Sequence, residues 1–258
     1  MPRKTLVIGN WKCNGKMDFV DSLTKGITAG LAKTDTKNVD VLVAPTMMHL
    51  PMVVALTKGT KLAVCAQNVS ANPCGAFTGE VSAEQLKDAG IGWTIIGHSE
   101  RRQSEKMQTF ESNKLVALKV EAAQSNGLSV CVCVGETEAE RKEGRTFAVI
   151  EEQLKAVLPA VKGWGGFALA YEPLWAIGTG NTASAQQAQD VHDHIRKFVS
   201  NTVSAEVGAA LRICYGGSVK PKNSAELISQ KDIDGFLVGG ASLKSETFLP
   251  IIASVVSK

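Results

Sequence analysis

The sequence predicts a single-domain α/β fold in which eight βα units close into a (β/α)8 barrel. Three observations carry this. Eight short apolar runs recur along the chain, amphipathic segments separate them, and the 258 residues match the length such a barrel needs. Barrels of this kind typically use about 250 residues. Strands that are apolar throughout, rather than alternating, belong to parallel sheets covered on both faces.

The first run is Leu6-Val7-Ile8, and the second spans Val39 to Val43. Between them Phe19, Leu23, Ile27 and Leu31 fall at spacings of four, which predicts a helix with that buried stripe. Leu62-Ala63-Val64, Trp93 to Ile96 and Val130 to Val134 supply strands three to five. A helix over Ile150, Leu154 and Leu158 leads to strand six, Phe167 to Ala170. Val191, Ile195 and Val199 mark the next helix, followed by strand seven, Leu211 to Cys214. Strand eight is Phe236-Leu237-Val238, and Phe248, Ile252 and Val255 carry the last helix. A doubly wound open sheet is the structural alternative. It usually opens with a glycine-rich fingerprint after its first strand, whereas here Gly9-Asn10-Trp11-Lys12 follows. One domain over residues 1–258 is expected, because no linker or low-complexity segment interrupts the pattern.

Composition narrows the function. Hydrophobic residues make up 44% of the chain, enough for a large core, and the formal net charge is +3. That balance gives no reason to expect a nucleic-acid partner, although a local anion site remains open. No run approaches the ~20 apolar residues of a membrane span, and the apolar start is too short for a signal peptide. Six cysteines occur, and Cys65, Cys131, Cys133 and Cys214 lie in strand-like runs. Cys131 and Cys133 are two apart, which is not metal or redox spacing, so buried free thiols in a reducing compartment are expected.

Chemistry in such a barrel gathers at the C-terminal strand ends. Strand one leads into Asn10 and Lys12; alternation points both the same way, an amide and a cation facing one ligand. Strand four leads to His98, placed where a helix begins, an environment that disfavours a charged imidazole. The remaining histidines, His49, His192 and His194, read as structural, and no metal-ligand cluster is apparent. Strand six runs into Glu172, whose direction is restrained by Pro173. The loop after it carries Leu174, Trp175 and Ile177, apolar bulk suited to a lid. Strands seven and eight end in Gly216-Gly217-Ser218 and Gly239-Gly240, where backbone can approach a phosphate closely.

Taken together, these segments resemble the triosephosphate isomerase family. The likeness runs in order from Gly9-Asn10-Trp11-Lys12 through Gly75 to Ser82, Ile96 to Arg102, Cys133 to Glu136, Tyr171 to Gly180 and Tyr215 to Val219, ending at Val238 to Ser242. It implies a TIM barrel that interconverts dihydroxyacetone phosphate and D-glyceraldehyde 3-phosphate in glycolysis and gluconeogenesis. By that resemblance Glu172 is the base and His98 the electrophile. Lys12 balances substrate charge, Asn10 touches the substrate, and Gly178, Ser218, Gly239 and Gly240 bind the phosphate. Tyr215 and Ser218 would hold the closed lid. No metal or organic cofactor is implied. A cytoplasmic homodimer is, with the Gly75–Glu80 loop and its Phe77 docking beside the catalytic lysine of a second subunit. Two departures stand out. Asn181 replaces a common lysine at the lid's C-terminal hinge, and Cys13 replaces a common methionine at the expected interface. Rival readings are a barrel acting on a larger sugar phosphate and a barrel that binds phosphate without catalysis.

Overall fold

The computed structural model describes residues 3–103, 108–177, 182–256 and 258. Eight parallel strands close in sequence order. They are β1 (Thr5–Asn10), β2 (Val39–Ala44), β3 (Leu62–Ala66), β4 (Trp93–Ile96), β5 (Ser129–Val134), β6 (Phe167–Tyr171), β7 (Arg212–Tyr215) and β8 (Gly235–Val238). β8 returns to pair with β1, with Leu6 opposite Gly235 and Ile8 opposite Leu237. The helices are α1 (Met17–Ala32), α2 (Leu50–Thr57), α3 (Ala83–Asp88), α4 (Ser99–Arg102), α5 (Asn113–Ser125) and α6 (Glu138–Lys142). Then come α7 (Thr146–Val157), α8 (Ala185–Thr202), α9 (Ala205–Ala210), α10 (Pro221–Ile228) and α11 (Ser245–Val256).

Period-two alternation divides each strand between two cores. Leu6, Ile8, Leu42, Ile95, Ala168, Ala170 and Leu237 fill the barrel interior together with Cys65, Cys131, Cys133 and Cys214. Val7, Val41, Val43, Val130, Val132, Leu169, Ile213 and Phe236 point outward and pack under the helices. The four interior cysteines are buried free thiols, as expected, and burial pushes all four well above the ordinary thiol range. Thiolate chemistry is closed to them.

Local sequence sets where helices start. Ser82 with Gln85, Thr137 with Glu140, and Ser184 with Gln187 form capping boxes at α3, α6 and α8. Each such cap contributes about 1 kcal/mol. The stripe expected on α1 needs one correction. Val20, Leu23, Thr24, Ile27 and Leu31 are buried, whereas Phe19 is 41% exposed. Steps of four overshoot a 3.6-residue turn, so a strict four-spacing drifts off the buried face toward its end. The other predicted stripes, on α7, α8 and α11, are buried. Among the described residues, no helix is long and apolar enough to cross a membrane.

Candidate active site

The C-terminal strand ends surround a cavity of about 520 Å³. Asn10, Lys12, His98, Glu172, Ser218, Gly239 and Gly240 all line it, so the structure brings together seven of the eight expected site residues. The eighth, Gly178, lies outside the described residues, as does Asn181.

Lys12 reaches the cavity for a reason that alternation does not supply. β1 ends at Asn10, and Lys12 adopts a left-handed conformation with φ of 51°. A non-glycine residue held there stores strain, and its neighbours must hold it. The Asn10 side chain accepts from the Lys12 N–H at 3.0 Å, and Gln67 donates to the Lys12 carbonyl at 2.9 Å. The Lys12 ammonium donates to Glu100 at 2.7 Å. Burial opposes ionisation of Glu100, but the hydrogen bond and charge of Lys12, together with His98, hold its carboxyl below the usual range.

His98 is the N-cap of α4, as its position after strand four predicts. The Glu100 backbone N–H donates to His98 Nδ1 at 3.2 Å, which leaves Nε2 as the ring's N–H donor. That Nε2 lies 3.0 Å from Glu172 Oε1. Glu172 is 2% exposed and sits one residue past β6. Its other carboxylate oxygen accepts the Ser99 N–H at 2.8 Å, and Ser99 Oγ donates to Oε1 at 3.2 Å. The carboxylate is thus parked against the first turn of α4, beside the cavity.

Behind the base, Pro173 leads into a 3-10 turn, Leu174–Ala176. Trp175 Nε1 and the Tyr171 hydroxyl both donate to Oε1 of Glu136, at 2.9 and 3.1 Å. Glu136 is fully buried, and the Arg141 guanidinium also stacks 4.1 Å from the Trp175 ring centre. The start of the expected lid is therefore tied to a buried carboxylate. On the far side, the Tyr215 hydroxyl is buried and faces the Ala183 backbone without a well-formed hydrogen bond. Burial pushes it up to about 12, and the Ala183 backbone pulls the other way. A 3-10 turn, Gly240–Leu243, begins at the cavity wall. The first N–H groups of such a turn have no partner within it.

The other histidines are structural. His49 bonds Thr46, His192 bonds the Asp232 carbonyl, and His194 bonds Glu151 and stacks on Phe147. Among the described residues no group of three or more His, Cys, Asp or Glu side chains is placed to hold a metal ion. Sequence reasoning assigned no role to Ser99, Glu100 or Glu136, although each lies in a segment it quoted. It missed Gln153, whose only signal is an amide inside the buried stripe Val149, Ile150, Gln153, Leu154, Val157 of α7.

Comparison with known proteins places the whole chain in one family. Residues 5–255 match the family model described as Triosephosphate isomerase. The chain is 49% identical to the cytosolic triosephosphate isomerase of Oryza sativa subsp. japonica, over 100% of this chain and 99% of that one. It is 46% identical to the triosephosphate isomerase of Entamoeba histolytica, covering 99% and 98%. It is 47% identical to the chloroplastic triosephosphate isomerase of Fragaria ananassa, over 99% of this chain and 79% of that one. With the matched model spanning both cores and every strand, the chain belongs to the triosephosphate isomerase family, isomerases that interconvert dihydroxyacetone phosphate and D-glyceraldehyde 3-phosphate.

Proposed function

We propose that Glu172 carries the proton in this isomerisation, with His98, Lys12 and Asn10 stabilising the charge that develops. The carrying observation is convergence: four polar side chains at or just past the ends of β1, β4 and β6 meet on one cavity whose wall also includes Ser218, Gly239 and Gly240. Removing a proton beside a carbonyl needs a base on one face of the substrate and donors at the carbonyl oxygen. Glu172 would take the proton from C1 of dihydroxyacetone phosphate while the His98 Nε2–H donates to the C2 oxygen. In the resulting enediolate the C2 oxygen takes a proton from His98, which is restored by the C1 hydroxyl proton, and Glu172 returns its proton at C2 to give the aldehyde. Lys12 supplies a positive charge, and its 2.7 Å ion pair with Glu100 holds the ammonium at the cavity.

The parked carboxylate fits a two-position base. Glu172 must leave Ser99 to meet the substrate, and closure of the lid after Pro173 is the movement that would carry it. Lids that close over substrate, as in this family, exclude water from the reacting atoms. Backbone N–H groups near Ser218, Gly239 and Gly240, with Gly178 of the lid, are the proposed phosphate donors. A cytoplasmic location is proposed on the likeness to the cytosolic rice enzyme; cell fractionation tests it, since a chloroplastic relative is nearly as similar. A homodimer is proposed because Lys12 also borders a second cleft, of about 310 Å³, lined by Cys13, Met47, Gly79 and Glu80.

The decisive experiment is turnover of D-glyceraldehyde 3-phosphate in a coupled assay, comparing wild type with Glu172→Gln. A fall in kcat of roughly 10³-fold or more is expected for loss of the base. Wild-type turnover in the variant would remove Glu172 from the role.

A further inference from the structure

The base's own side-chain partners do not explain what holds its backbone. Glu172 N–H donates to the Val134 carbonyl at 2.8 Å, and Leu174 N–H donates to the Glu136 carbonyl at 3.2 Å. Gly135 lies between those acceptors, directly under the base. A Cβ at Gly135 would sit 1.8 Å from the Glu172 carbonyl oxygen, so only glycine permits this approach. The backbone of Glu172 therefore rests on a bare peptide segment that follows β5.

That segment is clamped from behind. The side-chain amide of Gln153, on α7, accepts from the Gly135 N–H at 2.9 Å and donates to the Gly135 carbonyl at 2.9 Å. Two opposed hydrogen bonds from one planar amide fix the position and the tilt of the Gly135 peptide groups. Gln153 is 7% exposed, so water does not compete freely for these bonds. Behind the base lies a void of only about 10 Å³, lined in part by Cys133, Gly135, Gln153, Glu172 and Leu174. Packing this tight transmits a displacement rather than absorbing it.

We propose that Gln153 is a positioning residue for Glu172, acting through Gly135. It sets where the carboxylate lands, both when parked at Ser99 and when turned to the substrate. The proposal rests on the reading of Glu172 as the base. Misplacement of a reacting group by about 1 Å can cost ~100-fold in rate, so a small shift of this platform has a large kinetic effect.

Gln153→Met keeps the length and removes both hydrogen bonds. It is expected to lower kcat roughly tenfold or more while KM stays within about twofold, because substrate-binding groups on β1, β7 and β8 are untouched. Gln153→Glu is the second variant. Its ionised carboxylate keeps the acceptor for the Gly135 N–H but faces the Gly135 carbonyl without a donor; when protonated it regains one. Its kcat relative to wild type should therefore climb as pH falls from 8 to 6, a rescue that a merely space-filling role does not give. A Gln153→Met enzyme with kcat within twofold of wild type overturns the proposal. Glu172→Gln assayed alongside separates the two failures. If it retains turnover, the base assignment falls and takes this proposal with it. If it is inactive while the Gln153 variants are normal, only the positioning role falls.

Discussion

Glu172 combines features that a residue in solvent does not need to reconcile. It is a buried carboxylate, it accepts from Ser99 and faces His98, and glycines pack against it on both neighbouring strands. Gly216 tests how tight that packing is. A Cβ there would lie 2.9 Å from Glu172 Cγ and 3.1 Å from the Tyr171 carbonyl oxygen. Gly216→Ala should therefore lower kcat roughly tenfold while moving the thermal midpoint by only a few degrees, since the methyl crowds the base more than the core. Parallel kinetics and thermal melts check this; equal kcat in the variant would show that Glu172 has slack. The residues legible in the sequence were those at strand ends with distinctive chemistry: Asn10, Lys12, His98, Glu172, and the paired glycines. Ser99 and Gln153 were not, because each acts through a hydrogen bond whose partner is distant in sequence. Ser99 meets Glu172 across 73 positions, and Gln153 reaches Gly135 across 18. Lys12 was placed correctly for an incomplete reason, since alternation says nothing of a φ of 51°.

At the scale of elements, α8 carries two buried groups that no catalytic role explains. Arg196 donates to Asp232 and Asp234 at 2.6 Å each, and to the carbonyls of Gly208 and Leu211 at 2.8 and 2.7 Å. It thus ties α8 to α9 and to the approach to β8. Arg196→Met leaves two buried carboxylates short of a cation, with Arg3 still pairing one of them at 2.6 Å. The expected loss is about 3 kcal/mol, read from urea unfolding, with kcat per folded site unchanged. One turn earlier, His192 is wholly buried. Burial pushes its imidazole down from 6.5 to about 4, opposed by the Asp232 carbonyl and the charge of Asp234. The unfolded chain takes up this proton near pH 6.5 and the folded chain only near pH 4. Between those values the unfolded state binds more protons, so stability present above pH 6.5 is lost as pH falls toward 4, by about 3 kcal/mol in all. Urea midpoints at pH 7 and pH 5 measure the loss. His192→Gln should flatten the difference, and an unchanged pH dependence in that variant would assign it to other groups. The apolar stripe of α8 was readable from its spacing of four and His192 read as structural, but the Arg196 tether was not legible, because an Arg on a helix reads as solvated until the opposing carboxylates are in place.

For the molecule as a whole, the candidate catalytic cavity has a neighbour on the same face. Lys12 separates it from the second cleft, and Asn10, His98 and Glu100 border both. Met48, next in sequence to the cleft-lining Met47, is 86% exposed, and Phe77, two residues before the cleft-lining Gly79, is 42% exposed. Exposed apolar side chains that flank a cleft suit a docking face. In the homodimer we propose, the Phe77 loop of each subunit fills the cleft of the other and shields Lys12 and its strained backbone from water. That loop is braced at its base, where Glu84 accepts from the Cys74 N–H at 2.8 Å and Ser82 caps α3 behind it. Phe77→Asp should yield a monomer by sedimentation velocity at micromolar concentration, with kcat reduced at least tenfold because Lys12 loses its cover. Labelling exposed Cys13 with a bulky thiol reagent should shift the wild type the same way. A wild type that sediments as a fully active monomer at that concentration would end the dimer proposal, and would leave Lys12 to be held by Asn10, Gln67 and Glu100 of its own subunit.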